Sequence, residues 1–118
     1  MGLTVKAGVL AISMLFSGAA SAATFAAISY NKETGLYGYS KGYSSRDGAE
    51  ERAAQECGPG CETIMWARDA CASLATAPSH AYGTGSDTDR ESANQTAMNV
   101  CSEYADDCSI VVEVCSTD

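Results

Sequence analysis

Six cysteines offer the most chemistry in this chain, and they fall into two triplets, Cys57, Cys61 and Cys71, then Cys101, Cys108 and Cys115. Thiols can hold a metal, attack a substrate or pair with one another. Zinc sites draw on closely spaced Cys and His ligands, yet the chain has no Cys-x-x-Cys pair and one histidine, His80. A Ser-His-Asp or Cys-His nucleophile would have to use that same His80 as its base. It stands in a Pro78-Ser79-His80 loop and reads as a surface residue. An even cysteine count in a small chain points to a disulfide framework, so no metal, cofactor or catalytic residue is expected.

Six cysteines allow fifteen pairings. An internal repeat narrows them: Arg46, Ala49 and Cys57 follow one another at the intervals of Arg90, Ala93 and Cys101, and Tyr37-Gly38 and Tyr82-Gly83 open the two copies. In each copy one cysteine ends a helical stretch and the next opens a strand. Cys57 is therefore expected to pair with Cys61 and Cys101 with Cys108, leaving Cys71 and Cys115 to join the two halves.

Carboxylates are plentiful but not arranged as a recognisable site. Asp87-x-Asp89-x-Glu91 lacks the rest of a calcium loop and coincides with a helix start, where acids favour the positive end of the dipole. Gly83-Thr84-Gly85 lacks the third glycine and the lysine of a phosphate loop. A hydrolase or carbohydrate-active enzyme is the competing class. It would need Asp69 or Glu113 to converge with another acid near Trp66.

The formal charge is −8, from fifteen acidic and seven basic residues. Nucleic acid and anionic lipid are bound by concentrated Lys and Arg, so neither is an expected partner; a basic protein would be steered towards this chain. Lys6, the apolar run from Ala7 to Phe16 and Ala20-Ser21-Ala22 have the plan of a secretory leader cleaved after Ala22. The run is too short to span a bilayer, so no anchor is expected after processing. The destination is the periplasm or the exterior.

Residues 23–118 then form one small domain with repeats over about 36–75 and 81–118. Thr24 to Tyr30 and Leu36 to Tyr43 read as a hairpin around Asn31-Lys32-Glu33-Thr34-Gly35, and simple alternation puts Tyr37, Tyr39 and Tyr43 on one face. Ser44 or Ser45 caps a helix whose Ala49, Ala53 and Cys57 share a face, ended by Gly58-Pro59-Gly60. Cys61 to Ala75 is strand-rich. After a strand from Ala81, Thr88-x-x-Glu91 opens a second helix with Ala93, Ala97, Val100, Cys101 and Tyr104 at helical spacing, and Ile110, Val112 and Val114 alternate in a last strand. The expected fold is α+β in the order β-β-α-β-β-α-β, with the two halves sharing one sheet and both helices on one face.

Tyr37-Gly38-Tyr39-Ser40, Ser45-Arg46-x-x-Ala49, Trp66-Ala67-Arg68-Asp69-Ala70-Cys71-Ala72, Tyr82-Gly83 and Val112-x-Val114-Cys115 resemble the bacterial secreted domain of unknown function 4189 family. The resemblance spans nearly the whole mature chain. It implies a small exported α+β domain with disulfides. Where many members carry Gly-Trp-Gly-Trp after Tyr-Gly, this chain has Thr84-Gly85-Ser86. Large aromatic side chains bury much area at little rotamer cost, so Tyr37, Tyr39, Tyr43, Trp66 and Tyr82, with Arg68 at a polar rim, are the expected binding residues. The expected role is a non-enzymatic interaction module, in its sharper form an acidic inhibitor or immunity-type binder of a basic secreted protein.

Overall fold

A computed structural model describes residues 22–118; the leader expected at the N-terminus lies outside the described residues. The chain runs β1 (Phe25–Tyr30), β2 (Tyr37–Tyr43), α1 (Arg46–Cys57), β3 (Glu62–Arg68), β4 (Cys71–Thr76), β5 (Tyr82–Asp87), α2 (Arg90–Ser102) and β6 (Ser109–Cys115). The fold is α+β with three disulfides. The strands form two antiparallel sheets, in the orders β2-β1-β3 and β5-β4-β6.

Three details of the expectation change. The strand-rich stretch after Cys61 is two strands, broken at Asp69, whose φ of 50° lies in the left-handed region. The single shared sheet is replaced by two sheets of three strands. Because β4 is the middle strand of the second sheet, the repeating unit is ββαβ, running from β1 to β3 and from β4 to β6, and the boundaries 36–75 and 81–118 are corrected accordingly. Cysteine spacing misplaced them because it says nothing of which neighbours a strand will pair with.

Alternation along the middle strands explains the layering. Ala26, Ile28 and Tyr30 of β1 meet Ala72 and Leu74 of β4, with Ala67, Val112 and Val114 completing a core between the sheets. The opposite face of β1 presents Ala27 to Ala49 and Ala53 of α1. On β4, Cys71 meets Ala93 and Ala75 meets Ala97 of α2. Each sheet thus carries its own helix outside, rather than both helices lying on one face. Full burial of Ile28 and Leu74 contributes about 2 kcal/mol each.

Both helices lie almost on the backbone of the strand beside them. A Cβ on Gly38 would stand 2.4 Å from the Cys57 nitrogen and 2.5 Å from the Ala53 oxygen; on Gly83 it would stand 2.3 Å from the Cys101 nitrogen and 2.4 Å from the Ala97 oxygen. Only glycine permits that approach. The small residues on each helix's inner face, Ala49, Ala53 and Cys57 or Ala93, Ala97 and Cys101, serve the same end. Ser45 caps α1 by accepting from the Gly48 N–H. Asp89, not Thr88, caps α2, accepting from the Ser92 N–H. Gly58, with φ 102°, ends α1.

The bridges are Cys57–Cys61, Cys101–Cys108 and Cys71–Cys115. The first two tie the end of each helix to the start of the strand that follows. Cys71 and Cys115 are opposite one another in the β4–β6 ladder, so this bridge closes the second sheet on itself instead of joining the halves. The sheets are held together by the apolar core, by Tyr30 Oη donating to the His80 carbonyl (3.1 Å), and by the Gly42 N–H donating to the Ser116 carbonyl (3.0 Å).

Candidate functional site

The tyrosines of β2 do not share one face. Ala27 pairs with Ser40 but Phe25 pairs with Tyr43, so β2 carries one extra residue there, a bulge around Lys41 and Gly42. Gly42 accommodates it with φ 75°. The extra residue inverts the alternation and turns Tyr43 onto the α1 side, where it packs with Phe25 against Ala49 and Ala53. Tyr37 and Tyr39 alternate with Gly38, which α1 covers, and remain 41% and 48% exposed.

β2 is the outer strand of its sheet, and a groove of about 420 Å³ runs beside it. Tyr37, Tyr39, Tyr43 and Lys41 of β2 line it, with Arg52 and Glu56 of α1. The groove exists because Gly38 and Ser40 hold α1 down on β2: Ser40 Oγ donates to the Ala49 carbonyl at 2.6 Å. Its lining combines large aromatic surface with one cation free of ion pairs among the described residues, Lys41, and a paired Arg52–Glu56.

A second groove, of about 530 Å³, occupies the corresponding position beside β5. Tyr82 lines it, but its other walls are Val100 and Tyr104, with Lys32 and His80 at one end. Tyr82 also packs on Tyr30, centroids 5.1 Å apart. Tyr104 continues the helical spacing of Ala93, Ala97 and Cys101, but the helix ends at Ser102 and Tyr104 is 71% exposed.

Trp66 and Arg68 stand elsewhere, on β3 at the other edge of the first sheet. Trp66 lies 6.3 Å from Phe25, ring to ring, and the Arg46 guanidinium covers it at 4.3 Å. Arg68 lies 6.0 Å over Phe25, its partner in the ladder. The six expected binding residues therefore divide among two grooves and one aromatic–arginine row. Phe25, Lys41, Arg46, Arg52, Val100 and Tyr104 are not among the expected binding residues, although the recurrence of Arg46 as Arg90 marks that position.

The carboxylates named for acid–base work are engaged structurally. Asp69 accepts from the Thr24 N–H at 2.9 Å and so ties the turn before β4 to the start of β1. Glu113 accepts from Asn94 at 2.8 Å and lies 3.9 Å from Arg90, which bonds Asp118 at 2.9 Å. Asp118 also accepts from the Cys115 N–H, and that bond, then Arg90, holds its carboxyl below the usual range. Asp69, in the turn between β3 and β4, and Glu113, on β6, line neither groove. Among the described residues, no group of three or more His, Cys, Asp or Glu is placed to hold a metal, and no helix is long and apolar enough to cross a membrane.

These features define a small disulfide-stapled α+β domain of two ββαβ units with a groove on each. The chain belongs to the family described as Domain of unknown function (DUF4189), whose model matches residues 25–115, from the first residue of β1 to the last of β6. No curated protein and no solved structure matches it.

Proposed function

We propose that the chain is an exported, non-enzymatic interaction module, acting in the periplasm or outside the cell, that takes a protein partner on the β2 groove. One observation carries the reading: Tyr37 and Tyr39 stand exposed on an outer strand, next to a groove that their own alternation with Gly38 and Ser40 creates. Tyrosine anchors at the centre of a contact supply most of the energy of typical interfaces. The three disulfides suit an oxidising compartment. The net charge of −8 favours a basic partner, which places an inhibitor or immunity-type binder of a basic secreted protein within the same reading. The carboxylate-enzyme alternative has less support, since Asp69 and Glu113 are each engaged in structural bonds and line neither groove.

Capture from envelope extracts at low and moderate salt tests this. The wild-type protein is expected to retain a basic protein that is released as salt rises, and a Tyr37→Ala, Tyr39→Ala double variant to retain little of it while melting as the wild type does. Equal retention by the double variant would remove the β2 groove from the account.

A further inference from the structure

The β5 groove carries chemistry that the β2 groove lacks. Tyr82, Val100 and Tyr104 give it apolar walls, and Lys32 and His80 stand at one end. In a chain with fifteen acidic residues, no carboxylate of the described residues lines it. At about 530 Å³ it falls within the size range of small-molecule sites, which pair an apolar lining with a few convergent polar groups.

Lys32 comes from the turn after β1, so the site is built by both units. Its ammonium is paired to Glu62 at 3.2 Å, and the two side chains are 54% and 59% exposed. An exposed pair of this kind is weak and exchangeable. Lys32 and Tyr82 line the same groove, and the hydrogen bond and charge of Glu62 first, then Tyr82, raise the Lys32 pKa. His80 is fixed at the same end by the turn it makes: its N–H donates to the Ala77 carbonyl at 2.8 Å, and its ring lies against Gly35, where a Cβ would meet it at 2.8 Å.

We propose that this groove binds a small amphipathic carboxylate, its aryl or short alkyl tail against Tyr82, Val100 and Tyr104 and its anion taken by Lys32 in exchange for Glu62. The apolar walls alone would accept any greasy fragment. The cation at one end, with no acid in the lining, selects an anionic one.

Titration of phenylbutyrate into the purified protein, followed by amide NMR, tests it, with the uncharged phenylbutanamide as control. Saturable shifts are expected at Tyr82, Thr84, Val100 and Tyr104, and the amide should bind about fivefold more weakly. Lys32→Gln should erase that preference, whereas Glu62→Gln should tighten phenylbutyrate roughly threefold. Opposite signs for the two partners of one ion pair are not what a structural role would give. Tyr104→Ala, at an exposed position, keeps the fold and should weaken both ligands. The Tyr37→Ala, Tyr39→Ala protein should bind phenylbutyrate as the wild type does, which separates this site from the β2 groove. No saturable shift up to about 10 mM, equal affinity for acid and amide, shifts centred elsewhere, or a Glu62→Gln protein that binds no tighter would each overturn it.

Discussion

In the first unit Ile28 stands between Tyr39 and Met65 in the ladder; in the second Leu74 stands between Thr84 and Val112. Counting outward from these middle residues matches the two units position by position. Gly38 corresponds to Gly83, and each is pressed against its helix backbone. The Phe25–Arg68 pair corresponds to Cys71–Cys115, so an arginine resting on an aromatic ring stands where the other unit has a covalent bridge. Trp66 corresponds to Glu113. Arg46 and Arg90, each the first residue of its helix, follow that change: one covers the indole, the other approaches the carboxylate. The interlock of glycine and helix is the same in both units because backbone contact admits no side chain. The outer faces differ because solvent and partners impose no such geometry, and the two grooves inherit that difference.

Removing the Cys71–Cys115 bridge should break the comparison most severely. It closes a loop with a sequence separation of 44, which the chain-entropy model values at about 4 kcal/mol, against about 2 kcal/mol for Cys57–Cys61 with its separation of 4. A Cys71→Ala, Cys115→Ala variant is expected to lose about 4 kcal/mol in a denaturant titration, a large share of a typical domain's stability of order 5 to 15 kcal/mol. The Cys57→Ala, Cys61→Ala variant should remain folded.

Next in size, Gly83→Ala should cost roughly 3 kcal/mol, an overpacking cost, because the helix backbone has to retreat. Gly38→Ala should cost about as much. A clear inequality in chemical denaturation would show that the units are not interlocked alike.

Ser29 pairs with Gly38 as Ala75 pairs with Gly83, and the Ser29 hydroxyl is fully buried without a hydrogen-bond partner among the described residues. Ser29→Ala, which installs the second unit's residue, should therefore stabilise the protein by about 1 kcal/mol. A fall in melting temperature would contradict this.

An effect of similar size concerns Tyr30, whose pKa is raised above 10.0 by burial first and by Tyr82 second. A group whose folded pKa lies above its unfolded value contributes stability that is whole below about pH 10 and is lost as pH rises through the folded value. Tyr30→Phe should cost about 1 kcal/mol at neutral pH, through the lost bond to the His80 carbonyl, yet show a shallower alkaline decline. Stability measured from pH 8 to pH 11 checks both halves of that statement.

Much of the local structure was legible. Ser45 before Arg46, the Ala49–Ala53–Cys57 stripe and Gly58-Pro59-Gly60 act within a few residues of themselves, and the short bridges follow from a helix end meeting the next strand start. Tyr43 was misjudged because one extra residue at Lys41–Gly42 inverts a period of two, and nothing in the composition of Tyr39-Ser40-Lys41-Gly42-Tyr43 marks which residue is extra. Tyr104 falls outside the helix its spacing suggests because α2 stops two residues short of it. Of the site, the aromatic members were visible as residue types, but Lys41, Arg52 and Val100 became wall residues only once α1 and α2 had docked on outer strands.

The chain's own order of residues settled its helices, the two short bridges and the recurrence of a glycine wherever a helix lies on a strand, because these depend on contacts a few positions apart or on the absence of a side chain. Tertiary structure alone decided that β4 belongs with β5 and β6, that the sheets are two, that Cys71 and Cys115 close one of them, and that Tyr37 and Tyr82 face separate grooves. Strand partners are chosen by burial of Ala26, Ile28, Ala72 and Leu74 against one another across the molecule, and residues far apart in sequence carry no local mark of that choice.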